Sequence, residues 1–347
     1  MTVLPFDIAA DTVAKETPGK TVLVQEYLGF PLSFQLTKST VTDTFPALQL
    51  CCEGNEAADG AKGSQPAEKT GEKGCEQSEK CKDKTVADFK FKGELFLVGG
   101  GANKTFYELV KKLPDKAKVV VVALASQDAD ASESLAKDFE DAGIDPKNIT
   151  VITDAAAPKQ TKYNYSQDLP KNFDMIYFGG GDQAVLKQRF KPVDKLKEAL
   201  EKGAIVAGNS AGAAIMPCEM ITGGGPGDLT HGAGFCLTPW AVTDTHVHSR
   251  GREDRDVSAL YEIGKGELPV VGLDTDTRVS IRWDGKNVVA EVGGTNSVRV
   301  FRKTDQDLKV ESKRTVKPTV ITGTDGAGKG KSANMWELKA GDKFILR

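Results

Sequence analysis

The sequence predicts an α/β domain built on a mostly parallel sheet with helices on both faces, and three observations carry that prediction. Apolar runs of strand length, without polar alternation, recur between residues 95 and 207; helical patterns separate them; glycine-rich turns follow three of them. A strand with one solvated face would alternate in polarity, so continuous apolar strands belong in a sheet covered twice. Intervening helices are the crossovers that parallel neighbours require.

Taken in order, residues 20–50 alternate apolar and polar side chains, as in Thr21-Val22-Leu23-Val24 and Leu32-Ser33-Phe34-Gln35-Leu36. They predict strands in a β-rich extension over residues 1–52. Residues 53–88 are rich in Gly, Ala, Glu, Lys and Ser with little to bury, so a flexible linker or surface insertion is expected. The main domain, 89–347, opens with a strand at Leu95–Val98 before a helix over Phe106–Leu113. Val119–Leu124 precedes a helix over Ser132–Ala142; Ile149–Ile152 and Asp174–Phe178 are further strands, the latter followed by a helix over Gln183–Phe190. Ala204–Ala207 leads into Gly208-Asn209-Ser210-Ala211-Gly212. Beyond it, Arg278–Trp283, Asn287–Val292 and Val298–Phe301 alternate around an Asp284-Gly285 turn, so C-terminal β-hairpins extend the sheet, closed by Lys343–Leu346.

With 347 residues, 39% of them hydrophobic, the chain can bury a substantial core. A formal charge of −3 and the lack of a basic stripe argue against nucleic acid as a partner. No apolar stretch reaches the roughly 20 residues that span a bilayer, so no membrane is expected, and the first residues lack the pattern of an export signal. Six cysteines are compatible with disulfides and identify none.

The chemistry centres on Ser210. A serine on a sharp strand-to-helix turn needs small neighbours, which Gly208, Ala211 and Gly212 supply, and the turn lifts its hydroxyl out of the sheet. The amide of Ala211 is then free to face an oxyanion. A general base working near neutral pH points to histidine, and the chain has three. His246 and His248 follow Asp244, and strand periodicity would place all three on one face; Arg250, Arg252 and Arg255 come next as a clamp for a carboxylate. Asp274, Asp276 and Asp228 are candidate acids to orient the base, and spacing does not rank them. A metallohydrolase using Asp244, His246 and His248 is one alternative; a catalytically silent protein binding a carboxylate ligand or a partner is another. Asp325–Ser332 approximates a phosphate loop without its first glycine or a following helix, and Gly99-Gly100-Gly101 lacks the spaced third glycine of a dinucleotide site.

Phe178-Gly179-Gly180-Gly181-Asp182-Gln183, Gly208–Ala213, Asp244-Thr245-His246 with Arg250, Arg252 and Arg255, and Gly272-Leu273-Asp274-Thr275-Asp276 together resemble the cyanophycinase family of serine exopeptidases, peptidase family S51, which includes aspartyl dipeptidases. The resemblance implies a flavodoxin-like three-layer α/β/α sandwich akin to class I glutamine amidotransferases, a homodimer, and neither metal nor cofactor. It implies Ser210 as nucleophile, His246 as general base, and Ala211 with Gly180 or Gly181 as oxyanion donors. Asp182, Gln183, Asp244, Arg250, Arg252 and Arg255 would hold the substrate, an Asp-containing peptide such as cyanophycin or a β-Asp-Arg isopeptide. Thr245 stands where the family carries glutamine, and Thr275 where it carries glutamate. Leu338–Phe344 resembles a segment of longer secreted members, which points to an extracytoplasmic location.

Overall fold

The computed structural model describes residues 21–27, 30–35, 90–101, 103–128, 130–153 and 162–347. The chain falls into two units, residues 1–76 and 77–347. In the first, β1 (Thr21–Tyr27) pairs antiparallel with β2 (Phe30–Gln35), and the register shifts between Leu23 and Gln25. The expected linker over 53–88 lies outside the described residues.

The second unit opens with β3 (Glu94–Val98) and α1 (Asn103–Val110), then β4 (Val119–Val122), α2 (Ala131–Asp141), β5 (Ile149–Ile152) and β6 (Asn164–Ser166). It continues through β7 (Met175–Phe178), α3 (Gln183–Arg189), α4 (Val193–Lys202), β8 (Ile205–Asn209) and the single turn α5 (Ala211–Ala214). Six of these strands run parallel in the order β3, β8, β7, β4, β5, β6. Successive residues of one strand serve opposite cores, as the unbroken apolar runs require. Val119 and Val121 pack with Phe96, Phe106, Phe139 and Tyr177, whereas Val120 and Val122 pack with Leu95, Ile176, Leu186 and Leu200. Residues of α1 and α2 therefore cover one face, and residues of α3 and α4 the other.

Past α5 the chain turns to β structure. A hairpin of β9 (Glu219–Gly223) and β10 (Thr230–Ala233) is closed by a disulfide between Cys218 and Cys236. Then follow β11 (Val242–Thr245), α6 (Glu253–Glu262), β12 (Val270–Leu273), β13 (Thr277–Trp283), β14 (Val288–Gly294), β15 (Val298–Lys303), β16 (Val310–Glu311), β17 (Thr319–Thr324), β18 (Gly330–Leu338) and β19 (Lys343–Ile345). β13 adds antiparallel to β3, and β14, β19 and β16 extend that edge to a ten-stranded sheet. β11, β12, β15, β18 and β17 form a separate five-stranded sheet. The Asp284-Gly285 turn joins β13 to β14 as the sequence predicts, with the Asp284 carboxylate accepting the amides of Lys286 and Asn287. Asp325–Ser332 forms the turn between β17 and β18 and the start of β18; a strand follows it, not a helix. Among the described residues no helix is long and apolar enough to cross a membrane.

Candidate functional site

β8 lies between β3 and β7, so the turns leaving these three strands are neighbours at one edge. That adjacency brings Gly99–Gly101, Gly179–Gly181 and Ser210 together, as expected for the carboxyl edge of a parallel sheet. Glycine at 208 and 212 is imposed by contact. A Cβ on Gly208 would overlap the backbone of Gly212, and one on Gly212 would lie 2.8 Å from the carbonyl carbon of Phe178. Between them Ser210 has φ 52° and ψ −115°, a conformation costing a non-glycine residue about 1–3 kcal/mol. Its amide donates to the Val98 carbonyl at 2.9 Å, and its carbonyl accepts the Ala213 and Ala214 amides at 2.9 Å.

Ser210 Oγ stands 2.8 Å from His246 Nε2, although 36 residues separate the two in the chain. His246 immediately follows β11 and has φ 56°, so the extended backbone ends there and the ring swings toward the serine. Gly99 accepts the His246 amide at 3.0 Å, and Gly100 faces the ring: a Cβ there would lie 2.7 Å from Nε2. The first glycine turn thus seats an imidazole, a role the sequence reading did not assign to it. Burial lowers the His246 pKa from its ordinary 6.5, and the nearby Arg250 and Arg252 lower it further, against opposing contributions from Asp244 and Asp274.

None of the three candidate acids hydrogen-bonds His246. Its Nδ1 faces the Thr275 hydroxyl at 3.4 Å. Asp274 instead accepts the backbone amides of Ser249 at 3.2 Å and Thr275 at 2.9 Å. Asp276 has φ 55° in the same turn and gives its amide to the Gly100 carbonyl at 2.7 Å, while Asp228 accepts the Gly225 amide in the β9–β10 turn. The direct-acid expectation is therefore corrected: a hydroxyl occupies that position.

The metal alternative is corrected by geometry. The left-handed backbone at His246 breaks the alternation that would have put Asp244, His246 and His248 on one face. His248 is exposed, with Nδ1 near Glu253 and Arg299. Among the described residues no three His, Cys, Asp or Glu side chains are grouped to hold a metal.

The pocket beside Ser210 measures about 220 Å³ and is lined by all six residues expected to hold a substrate, but they are not equally free. Asp182 lines the pocket and caps α3, accepting the Ala184 and Val185 amides through Oδ1. Gln183 Nε2 donates to the Ile221 carbonyl at 2.7 Å. Asp244 is held by Arg255 through Nε at 2.9 Å and through Nη2, and accepts the Thr245 amide at 2.7 Å. Arg252 donates to the Thr245 carbonyl at 2.8 Å. Arg250 is exposed and has no ion pair among the described residues, so it is the open cation of the cluster. A larger hollow of about 690 Å³ lies at the other edge of the sheet, where β7 and β8 begin, and is remote from this chemistry.

Behind the clamp lies a residue that sequence reasoning missed. Asp256 is fully buried, and burial is the main cause raising its pKa well above the ordinary value; the Asp244 charge adds to this and Arg255 opposes it. Both of its carboxyl oxygens are buried without a hydrogen-bond partner among the described residues. Its signal in the sequence, an Arg-Asp dipeptide in a charged helical start, is common to exposed helices. On the opposite side of the serine, the Gly180 and Gly181 amides make no backbone hydrogen bond among the described residues, and Gly180 approaches Ser210 closely enough that a Cβ would lie 3.5 Å from the serine Cβ. Ala211 begins α5, where an amide has no intrahelical acceptor.

The sequence is 28% identical over 233 residues to a cyanophycinase from Synechococcus elongatus, covering 62% of this chain and 69% of that one. It is 28% identical over 203 residues to a cyanophycinase from Trichormus variabilis, covering 55% and 65%. A crystal structure of a peptidase from an acI-B1 Actinobacterium aligns with a TM-score of 0.44 at 18% identity, over 62% of this chain and 93% of that one. A putative peptidase E protein from Listeria monocytogenes EGD-e aligns at 0.36 and 18%, over 57% and 98%. The pattern that describes peptidase family S51 matches residues 95–289, more than half of the chain, running from β3 to the start of β14 and including Ser210, His246 and the arginines; the chain belongs to peptidase family S51.

Proposed function

We propose that this peptidase is a serine exopeptidase acting on Asp-containing peptides through an acyl-enzyme on Ser210. The observation that carries the reading is the 2.8 Å approach of Ser210 Oγ to His246 Nε2. His246 takes the hydroxyl proton as Oγ attacks the amide carbonyl. The oxyanion is received by the Ala211 amide and one from Gly180 or Gly181, the imidazolium returns its proton to the leaving amine, and water then releases the acyl group.

The pocket supports the substrate class. At about 220 Å³ it is large enough to seat one side chain of a peptide beside Ser210. Its open charge is cationic, from Arg250 with Arg252 beside it, while the Asp244 carboxylate is already bonded to Arg255. A carboxylate-bearing aspartyl group suits such a surface. β-Asp-Arg isopeptides, cyanophycin and ordinary Asp-X dipeptides all offer one. The parallel sheet covered on both faces is in keeping with a glutamine-amidotransferase-like sandwich, and a homodimer is part of the same proposal.

The test is hydrolysis of those three substrates, with products identified by mass spectrometry. Ser210→Ala is expected to lower turnover by roughly 10⁴-fold or more. Full turnover in that variant would end the serine reading. A silent homologue is the second reading, favoured by the absence of a carboxylate on His246 Nδ1; a Ser210 that never reacts with a fluorophosphonate probe would establish it.

A further inference from the structure

We propose that Ser249 is a positioning residue which, through Thr275, fixes the proton of His246 on Nδ1 and leaves Nε2 bare to accept from Ser210. The inference rests on the reading of His246 as the general base and names what holds that base ready in place of an acid.

The argument follows hydrogen-bond polarity along a closed ring. Ser249 Oγ lies 3.2 Å from the His246 carbonyl oxygen, and a carbonyl can only accept, so the Ser249 hydroxyl hydrogen points there. That oxygen takes the Arg250 amide at 3.0 Å on its other lone pair. With its hydrogen committed, Ser249 Oγ can only accept from Thr275 Oγ1, 3.0 Å away. Thr275, its own hydrogen now directed at Ser249, can only accept from His246 Nδ1 at 3.4 Å. Nδ1 therefore carries the proton. Nε2 is left with its lone pair toward Ser210 Oγ at 2.8 Å, and the serine hydrogen points at the base. One backbone carbonyl thus sets the direction of four successive bonds.

Asp274 acts at one remove. Its carboxylate binds the backbone amides of Ser249 and Thr275, the two residues that supply the hydroxyls. Asn296 Nδ2 holds the Thr275 carbonyl at 2.6 Å from the other side. When Ser210 Oγ attacks, its proton moves to Nε2, and the resulting imidazolium keeps its Nδ1 proton on Thr275; no proton passes along the chain. Neutral dipoles stabilise that cation less than a carboxylate in contact would. The charged groups around the ring are Arg250 and Arg252, which disfavour the cation, and Asp244 and Asp274, which favour it; a His246 pKa lowered by burial and the two arginines is in keeping with a hydroxyl partner.

The test is the tautomer of His246 in the full chain, read from ¹⁵N chemical shifts of histidine-labelled protein above the titration range, with His231→Gln and His248→Gln used to assign the other two rings. Protonated Nδ1 and bare Nε2 are expected in the wild type, and a mixture in Ser249→Ala. A proton on Nε2 in the wild type, or an unchanged tautomer in Ser249→Ala, overturns the proposal. The same variants are followed by the rate and pH profile with which a fluorophosphonate modifies Ser210. Removing the hydroxyls in Ser249→Ala or the isosteric Thr275→Val should slow modification roughly 10- to 100-fold, the range for losing a hydrogen-bond partner behind an imidazole. Thr275→Ser should recover most of what Thr275→Val loses, which separates the hydroxyl from the fold. Wild-type rates in both hydroxyl-free variants would also sink it. A wild type with the expected tautomer but no fluorophosphonate adduct would instead defeat the peptidase reading and leave the ring of bonds standing.

Discussion

At the residue scale, the proposed chemistry depends on a histidine whose pKa is held below its ordinary value. Burial first, then Arg250 and Arg252, lower its pKa below 6.5, and in the proposed mechanism the neutral form accepts the serine proton. The acidic limb of the rate should therefore fall below pH 6.5, with activity lost only as pH drops through the lowered value. Arg250→Gln removes one of the depressing charges, so the limb should move to higher pH while KM rises; a pH series of kcat/KM for both proteins checks the sign. Ser210 and His246 were legible because their chemistry needs rare local sequence: small residues around one, arginines after the other. The partner of His246 was not. Aspartates at 228, 274 and 276 all had the right functional group, but whether a carboxylate meets a ring or a backbone amide is decided by a turn conformation, here one in which Asp274 binds two amides. That Asp182 also caps α3 was hidden for the same reason, since the donors that a carboxylate meets are unknown until its neighbours are.

Elements explain why the pocket holds its form. The hairpin of β9 and β10 brings the Ile221 carbonyl to Gln183 and places Thr222 and Gly223 in the pocket wall, and the Cys218–Cys236 bond closes it over 18 residues. A loop of that size contributes about 3 kcal/mol through the entropy of the unfolded chain. Reduction should accordingly lower the urea midpoint and raise KM more than it lowers kcat, as Gln183 loosens. Equal stability with and without reductant would show that the bridge contributes nothing. The short apolar strands β4 and β7 were legible because burial on two sides leaves no charged residue in them. The end of β11 was not: alternation from Asp244 to His248 reads as one strand, and the left-handed residue at His246 that ends it leaves no compositional mark, since most such residues are glycine. Cysteines 218 and 236 were visible, but their pairing awaited the hairpin that joins them.

For the molecule as a whole, stability rests on the two cores either side of the parallel strands. Phe139 sits in one of them, with ring centroids 4.5 Å from Phe106 and 5.4 Å from Tyr177, and is fully buried. Phe139→Ala should cost about 3–5 kcal/mol in denaturant unfolding while leaving kcat of the folded fraction near wild type, because Phe139 is not among the residues that line the pocket beside Ser210. Sheet composition was legible, whereas sheet order was not: that β13 would join β3 across some 180 residues is a long-range pairing that no local pattern encodes. That pairing has a consequence for biosynthesis. As the chain leaves the ribosome, β3, β7 and β8 can assemble and present the strained serine early, but the base arrives about 36 residues later and the turn at 274–276 that backs it later still. A nascent polypeptide halted before His246 would hold Ser210 on its strained turn without the imidazole that meets it in the folded chain.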